Sequence, residues 1–150
     1  MLERTIRHEL GHLASSVYFN GGKLPRWFEE GIAEWTAGGV TCEGQLRLRV
    51  RFLVDRTSMP AAARLPERLE FGKSRVAYDL YATFIEFLEQ VAPGAMGTGK
   101  LLAEVKQAGD AYIGVQAALG LHWQIVEERW VDYLRERYGG RSPEALECTS

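Results

Sequence analysis

Two histidines with a glutamate beside the first, His8-Glu9-Leu10-Gly11-His12, are the residues of this chain best suited to chemistry. On an α-helix, positions i and i+4 share a face, so His8 and His12 can present both imidazoles to one metal ion while Glu9 stands next to it. A carboxylate that flanks a metal without binding it is suited to act as general base toward a water. Catalytic zinc takes three protein ligands and keeps a fourth position open, so the pair needs one further donor. The segment from Pro25 to Glu34 offers Glu29, Glu30 and Glu34. If it is helical, Glu30 and Glu34 share a face and Glu29 is rotated about 100° from Glu30. Glu34 is then placed to orient a ligating imidazole, or else to lie solvated at the surface, and Glu29 is expected to face solvent.

Helices must place these groups. Leu2, Ile6, Leu10, Leu13 and Val17 recur every three or four residues and mark an amphipathic helix from Leu2 to about Tyr18, which the polar run Asn20-Gly21-Gly22-Lys23 ends. Pro25 suits the first turn of a second helix, which Gly38-Gly39 stops. Gly31 inside it costs helix propensity and therefore predicts close backbone packing. Residues Gln45 to Val54 alternate apolar and arginine positions as a strand would, yet also fit a helix, which is the reading taken here. Pro60 and Pro66 break the polar stretch that follows, and Ser74 is placed as a helix cap. Further helices are expected near Val76 to Val91, Gly99 to Ala108, Tyr112 to Leu119 and Trp123 to Tyr138, with short loops favouring antiparallel neighbours. The fold class is thus mainly α, a single domain over residues 1–140 with a frayed tail over 141–150.

Composition narrows the function classes. A net charge of -2 gives no attraction to nucleic acid or anionic lipid, so neither is expected as a partner. No run approaches the ~20 apolar residues of a membrane span, and the first residues lack the apolar core of a signal peptide. The chain as given reads as soluble and untargeted, cytoplasmic by default and exported if an upstream signal is missing. Cys42 and Cys148 cannot form a thiolate zinc cluster and are read as two free thiols.

With Trp27-Phe28-Glu29-Glu30-Gly31-Ile32-Ala33 following His12, the chain resembles the gluzincin metallopeptidases, specifically the bacterial peptidase MA-like domains, in which a His-Glu-x-x-His helix precedes a Trp-x-x-Glu-Gly-x-Ala helix. Seventeen residues separate His12 from Glu30. The resemblance implies one Zn2+ held by His8, His12 and Glu30. It also implies a tyrosine supporting the oxyanion, which Tyr78 matches best and Tyr81 second, although Asp79-Leu80-Tyr81 departs from the family's pattern. The stretch from Leu119 to Leu134 looks like the family's closing helices, with Trp130 and Leu134 in the core. His122 is expected at the surface or as a cap. The fold implied is the zincin-like helical subdomain and bundle, lacking the usual N-terminal β-sheet, because only seven residues precede His8. Two expectations follow: a truncated domain whose site an upstream domain or partner chain covers, or a minimal helical version that binds substrate differently.

Two functions follow. The first is a zinc metallopeptidase acting on peptide or protein substrates, with Glu9 as base and Tyr78 as hydrogen-bond donor to the oxyanion. The alternative is a catalytically inactive, zinc-stabilised helical scaffold, whose exposed apolar faces would seek a partner.

Overall fold

Glycine and capping residues set the boundaries of the helices. A computed structural model of the chain describes residues 1–54 and 75–139, and these form seven helices and no strand. They are α1 (Leu2–Tyr18), α2 (Arg26–Thr36), α3 (Cys42–Val54), α4 (Arg75–Val91), α5 (Lys100–Ala108), α6 (Ala111–Leu119) and α7 (Trp123–Tyr138). The expected mainly helical fold is therefore observed. The expectations at Pro60, Pro66, Ser74 and the 141–150 tail lie outside the described residues.

α1 ends where Asn20 and Gly21 adopt left-handed backbone, with φ of 53° and 68°, and the Gly21 N–H donates back to Ser16 O at 2.8 Å. α2 starts after Pro25, which sits just before its first residue, and ends at Gly38 and Gly39, whose φ values are 108° and 76°. The ambiguous arginine-rich segment is helix α3. Thr41 Oγ1 caps it by accepting from Gly44 N at 3.0 Å, and Leu48 is buried.

α4 is the central element, with nine buried residues from Ala77 to Leu88. α2 lies on one side of it, α3 and α7 pack along it, and the α5–α6 hairpin closes the bundle. The α2–α4 approach depends on Gly31, where a Cβ would stand 2.9 Å from Tyr81 O and 2.8 Å from Ile85 Cγ1. The close packing predicted for that glycine is thus present. Trp27 is fully buried at the centre, its ring edge-on to Phe84 with centroids 5.0 Å apart and its Nε1 donating to Tyr112 Oη at 2.9 Å. Trp130 and Leu134 are in the core, as expected.

α1 lies outside this bundle, packed chiefly on α2. Its buried residues are Gly11 and Ser15, while Leu2, Ile6, Leu10, Leu13 and Val17 are exposed. The apolar stripe that marks the helix in the sequence therefore points away from the bundle.

Cys42 is disulfide-bonded, which corrects the reading of two free thiols. Wide separation along the chain is a weak argument against pairing, since the entropy of closing a loop grows only slowly with its length. The chain's other cysteine, Cys148, lies outside the described residues.

Candidate metal centre

The two helices that carry the candidate ligands cross where neither has bulk. A Cβ on Gly11 would stand 2.9 Å from the Cα of Ala33, so the middle of the His-Glu-x-x-His segment lies almost against the α2 backbone. This close crossing lets short imidazole and carboxylate side chains meet. His8 and His12 project from α1, Glu30 from α2, and all three are partly buried.

Their donor atoms form a compact triangle. His8 Nε2 and His12 Nε2 are 3.1 Å apart, with Glu30 Oε2 at 3.5 Å and 3.3 Å from them respectively. Ligands at about 2.0–2.1 Å from a tetrahedral zinc are separated from one another by about 3.3–3.4 Å. The triangle matches that spacing, and it is the group of His, Cys, Asp and Glu residues able to hold a metal ion among the described residues. The donor set therefore fits a three-ligand zinc site.

The tautomer of His8 is fixed from behind. Its Nδ1 lies 3.1 Å from Glu34 Oε1, and since a carboxylate only accepts, the proton belongs on Nδ1 and the Nε2 lone pair faces the triangle. Glu34 is in turn held by Arg4 Nη2, while the same guanidinium donates to Ala37 O at 3.0 Å and Gly39 O at 2.8 Å. Arg4 was not singled out from the sequence, although it lies one turn before His8 on the same face of α1 and thus opposite Glu34.

The other candidates divide. Glu9 is exposed and makes no side-chain hydrogen bond or ion pair with the described residues. Tyr78 lines a cleft of about 260 Å³ together with Arg4, Thr5, His8 and Glu34. Tyr81 is fully buried behind it, edge-on to the Tyr78 ring. Glu29 is partly exposed and His122 is exposed at the N-terminus of α7, where its side chain makes no capping bond.

Two arginines complete the surroundings. Arg47 of α3 grips the buried Asp79 through paired bonds, Nε to Oδ2 at 2.9 Å and Nη2 to Oδ1 at 3.1 Å, which anchors α4 at the residue after Tyr78. The hydrogen bond to Asp79 is the main cause holding the Arg47 pKa above its ordinary value. Arg26 Nη2 donates to Tyr78 Oη at 3.3 Å, and this bond likewise raises the Arg26 pKa. Comparison with family models, with curated proteins and with solved structures gives no match for this chain.

Proposed function

We propose that the chain is a zinc-dependent metallopeptidase, with His8, His12 and Glu30 holding one Zn2+ and Glu9 acting as general base. The observation that carries this reading is the donor triangle, with the His8 lone pair turned into it by Glu34. When bound, the ion would supply Lewis-acid polarisation of a carbonyl and a water acidified toward a pKa of ~7. Glu9, adjacent to His8 and unpaired, takes the proton from the attacking water and returns it to the departing amine. Tyr78, on the wall of the cleft beside His8, donates a hydrogen bond to the charge developing on the carbonyl oxygen, an interaction of ~3 kcal/mol in comparable settings. The disulfide at Cys42 supports an oxidising, exported setting over a cytoplasmic one.

A second reading, the inactive zinc-stabilised scaffold, is favoured by one observation: the apolar stripe of α1 is uncovered. The motif weighs against it, since a structural site would close its fourth position with a protein ligand and has no use for the glutamate that follows His8 in a hydrolytic motif. The two readings separate when cleavage of an unfolded protein substrate is compared for wild type and Glu9→Gln, alongside zinc analysis of both. Cleavage that needs zinc and disappears in Glu9→Gln supports the peptidase. Stoichiometric zinc without cleavage in either protein supports the scaffold.

No helix among the described residues is long and apolar enough to cross a membrane.

A further inference from the structure

The row of α2 that faces α1 reads Arg26, Glu30, Glu34, each one helical turn from the next. Glu30 belongs to the donor triangle and Glu34 is shared by His8 and Arg4, whereas Arg26 feels Glu30 one turn away but makes no ion pair with the described residues. The other arginines around the site do: Arg4 pairs with Glu34, Arg7 with Glu3 and Arg47 with Asp79. With the described residues Arg26 makes a single side-chain hydrogen bond, to the Tyr78 hydroxyl, and its Nε is buried without a partner. A guanidinium has five N–H donors in a planar fork that matches a carboxylate, so most of the capacity of Arg26 is unused. Its location gives that capacity a direction. Arg26 is one turn from the ligand Glu30, and the hydroxyl it holds belongs to the tyrosine that lines the cleft beside His8.

We propose that Arg26 is a specificity-determining residue that recognises a substrate carboxylate close to the scissile bond. The word substrate rests on the peptidase reading above; the recognition itself does not. The carboxylate has two sources, a free peptide C-terminus or an Asp or Glu side chain, and both offer the planar pair of oxygens that a guanidinium fork accepts. The Tyr78 hydroxyl, which accepts from Arg26, belongs to a residue lining the cleft beside His8, and it ties recognition of the anion to placement of the peptide.

Binding to the zinc-loaded Glu9→Gln protein, which does not turn over, is the direct test. The probes are acetyl-trialanine with a free C-terminus, its C-terminal amide, and the amide with aspartate in the last position, measured by calorimetry against Arg26 and Arg26→Gln forms. One charge-assisted bond predicts that at least one of the two carboxylate peptides binds about tenfold more tightly than the plain amide, falling to within about twofold in Arg26→Gln. Which carboxylate peptide is preferred identifies the source. Arg26→Lys, which keeps the charge but loses the fork, should retain part of the preference. Equal affinities for all three peptides, no binding of any, or a preference that survives in Arg26→Gln would overturn the proposal. Failure of the peptidase reading would instead appear as absent cleavage by the zinc-loaded wild type, a separate measurement that leaves the affinity ratio interpretable.

Discussion

α2 and α1 meet at the candidate metal centre but are held in opposite ways. α2 is buried on its bundle side, with Trp27, Phe28 and Ala33 at 0% exposure, so Glu30 projects from an element fixed by the core. α1 buries only Gly11 and Ser15, while Leu2, Leu13 and Val17 are 74%, 60% and 69% exposed. Each uncovered leucine or valine forgoes about 1.5–3 kcal/mol of burial. The difference teaches where order in the site comes from. The carboxylate is positioned by packing, whereas the histidines are positioned by the Gly11–Ala33 crossing and by the Arg4–Glu34–His8 chain. A metal ion bridging the two helices would fasten the loosely held one to the firmly held one.

The largest effect belongs to the packed side: Trp27→Ala removes a fully buried indole and should cost about 3–5 kcal/mol, read as a large fall in thermal midpoint. A midpoint near wild type would mean that α2 is not anchored as described. Alkaline pH attacks the same side next. Burial is the main cause pushing the Tyr133 phenol up to about 12, and it raises Tyr138 as well. A phenol that keeps its proton better when folded contributes stability that is complete below pH ~10 and lost as pH rises through its folded pKa. Melting temperature should therefore hold to about pH 10 and decline toward pH 12, and a flat profile across that window would contradict the burial of these phenols.

Smaller effects are expected on α1. Gly11→Ala brings a methyl against the α2 backbone and should cost about 1–3 kcal/mol by prising the helices apart, with zinc affinity falling in parallel. Unchanged affinity would show that the crossing does not set the triangle. Leu10→Ser on the exposed stripe should change stability by no more than about 0.5 kcal/mol. A loss beyond ~1 kcal/mol would reveal that this face is covered in solution.

The candidate metal centre was partly legible in the sequence: helical spacing puts His8 and His12 on one face with Glu9 beside them and Glu34 one turn after Glu30, while the choice of Glu30 came from the family resemblance. What escaped depends on the register of one helix against another. Arg4 acquires its meaning only when the crossing at Gly11 sets Glu34 beside it, and Arg26 only when the packing of α2 on α4 sets Tyr78 beside it. The alternating arginines of α3 look strand-like in isolation, but Thr41 caps a helix and Arg47 finds Asp79 across on α4. Tyr78 and Tyr81 stand on neighbouring faces of α4, so only the packing of α2 decides that the second is buried and the first lines the cleft. The disulfide at Cys42 left no local signal in the sequence.

The central claim is that His8, His12 and Glu30 together hold one metal ion, and a competition titration with zinc on the purified chain and its Glu30→Ala and Glu34→Ala variants tests it most directly. The expected result is one zinc per wild-type chain, loss of that zinc in Glu30→Ala and about 10–100-fold weaker binding in Glu34→Ala. A wild-type chain that takes up no zinc, or a Glu30→Ala chain that binds it as tightly as wild type, would contradict the assignment.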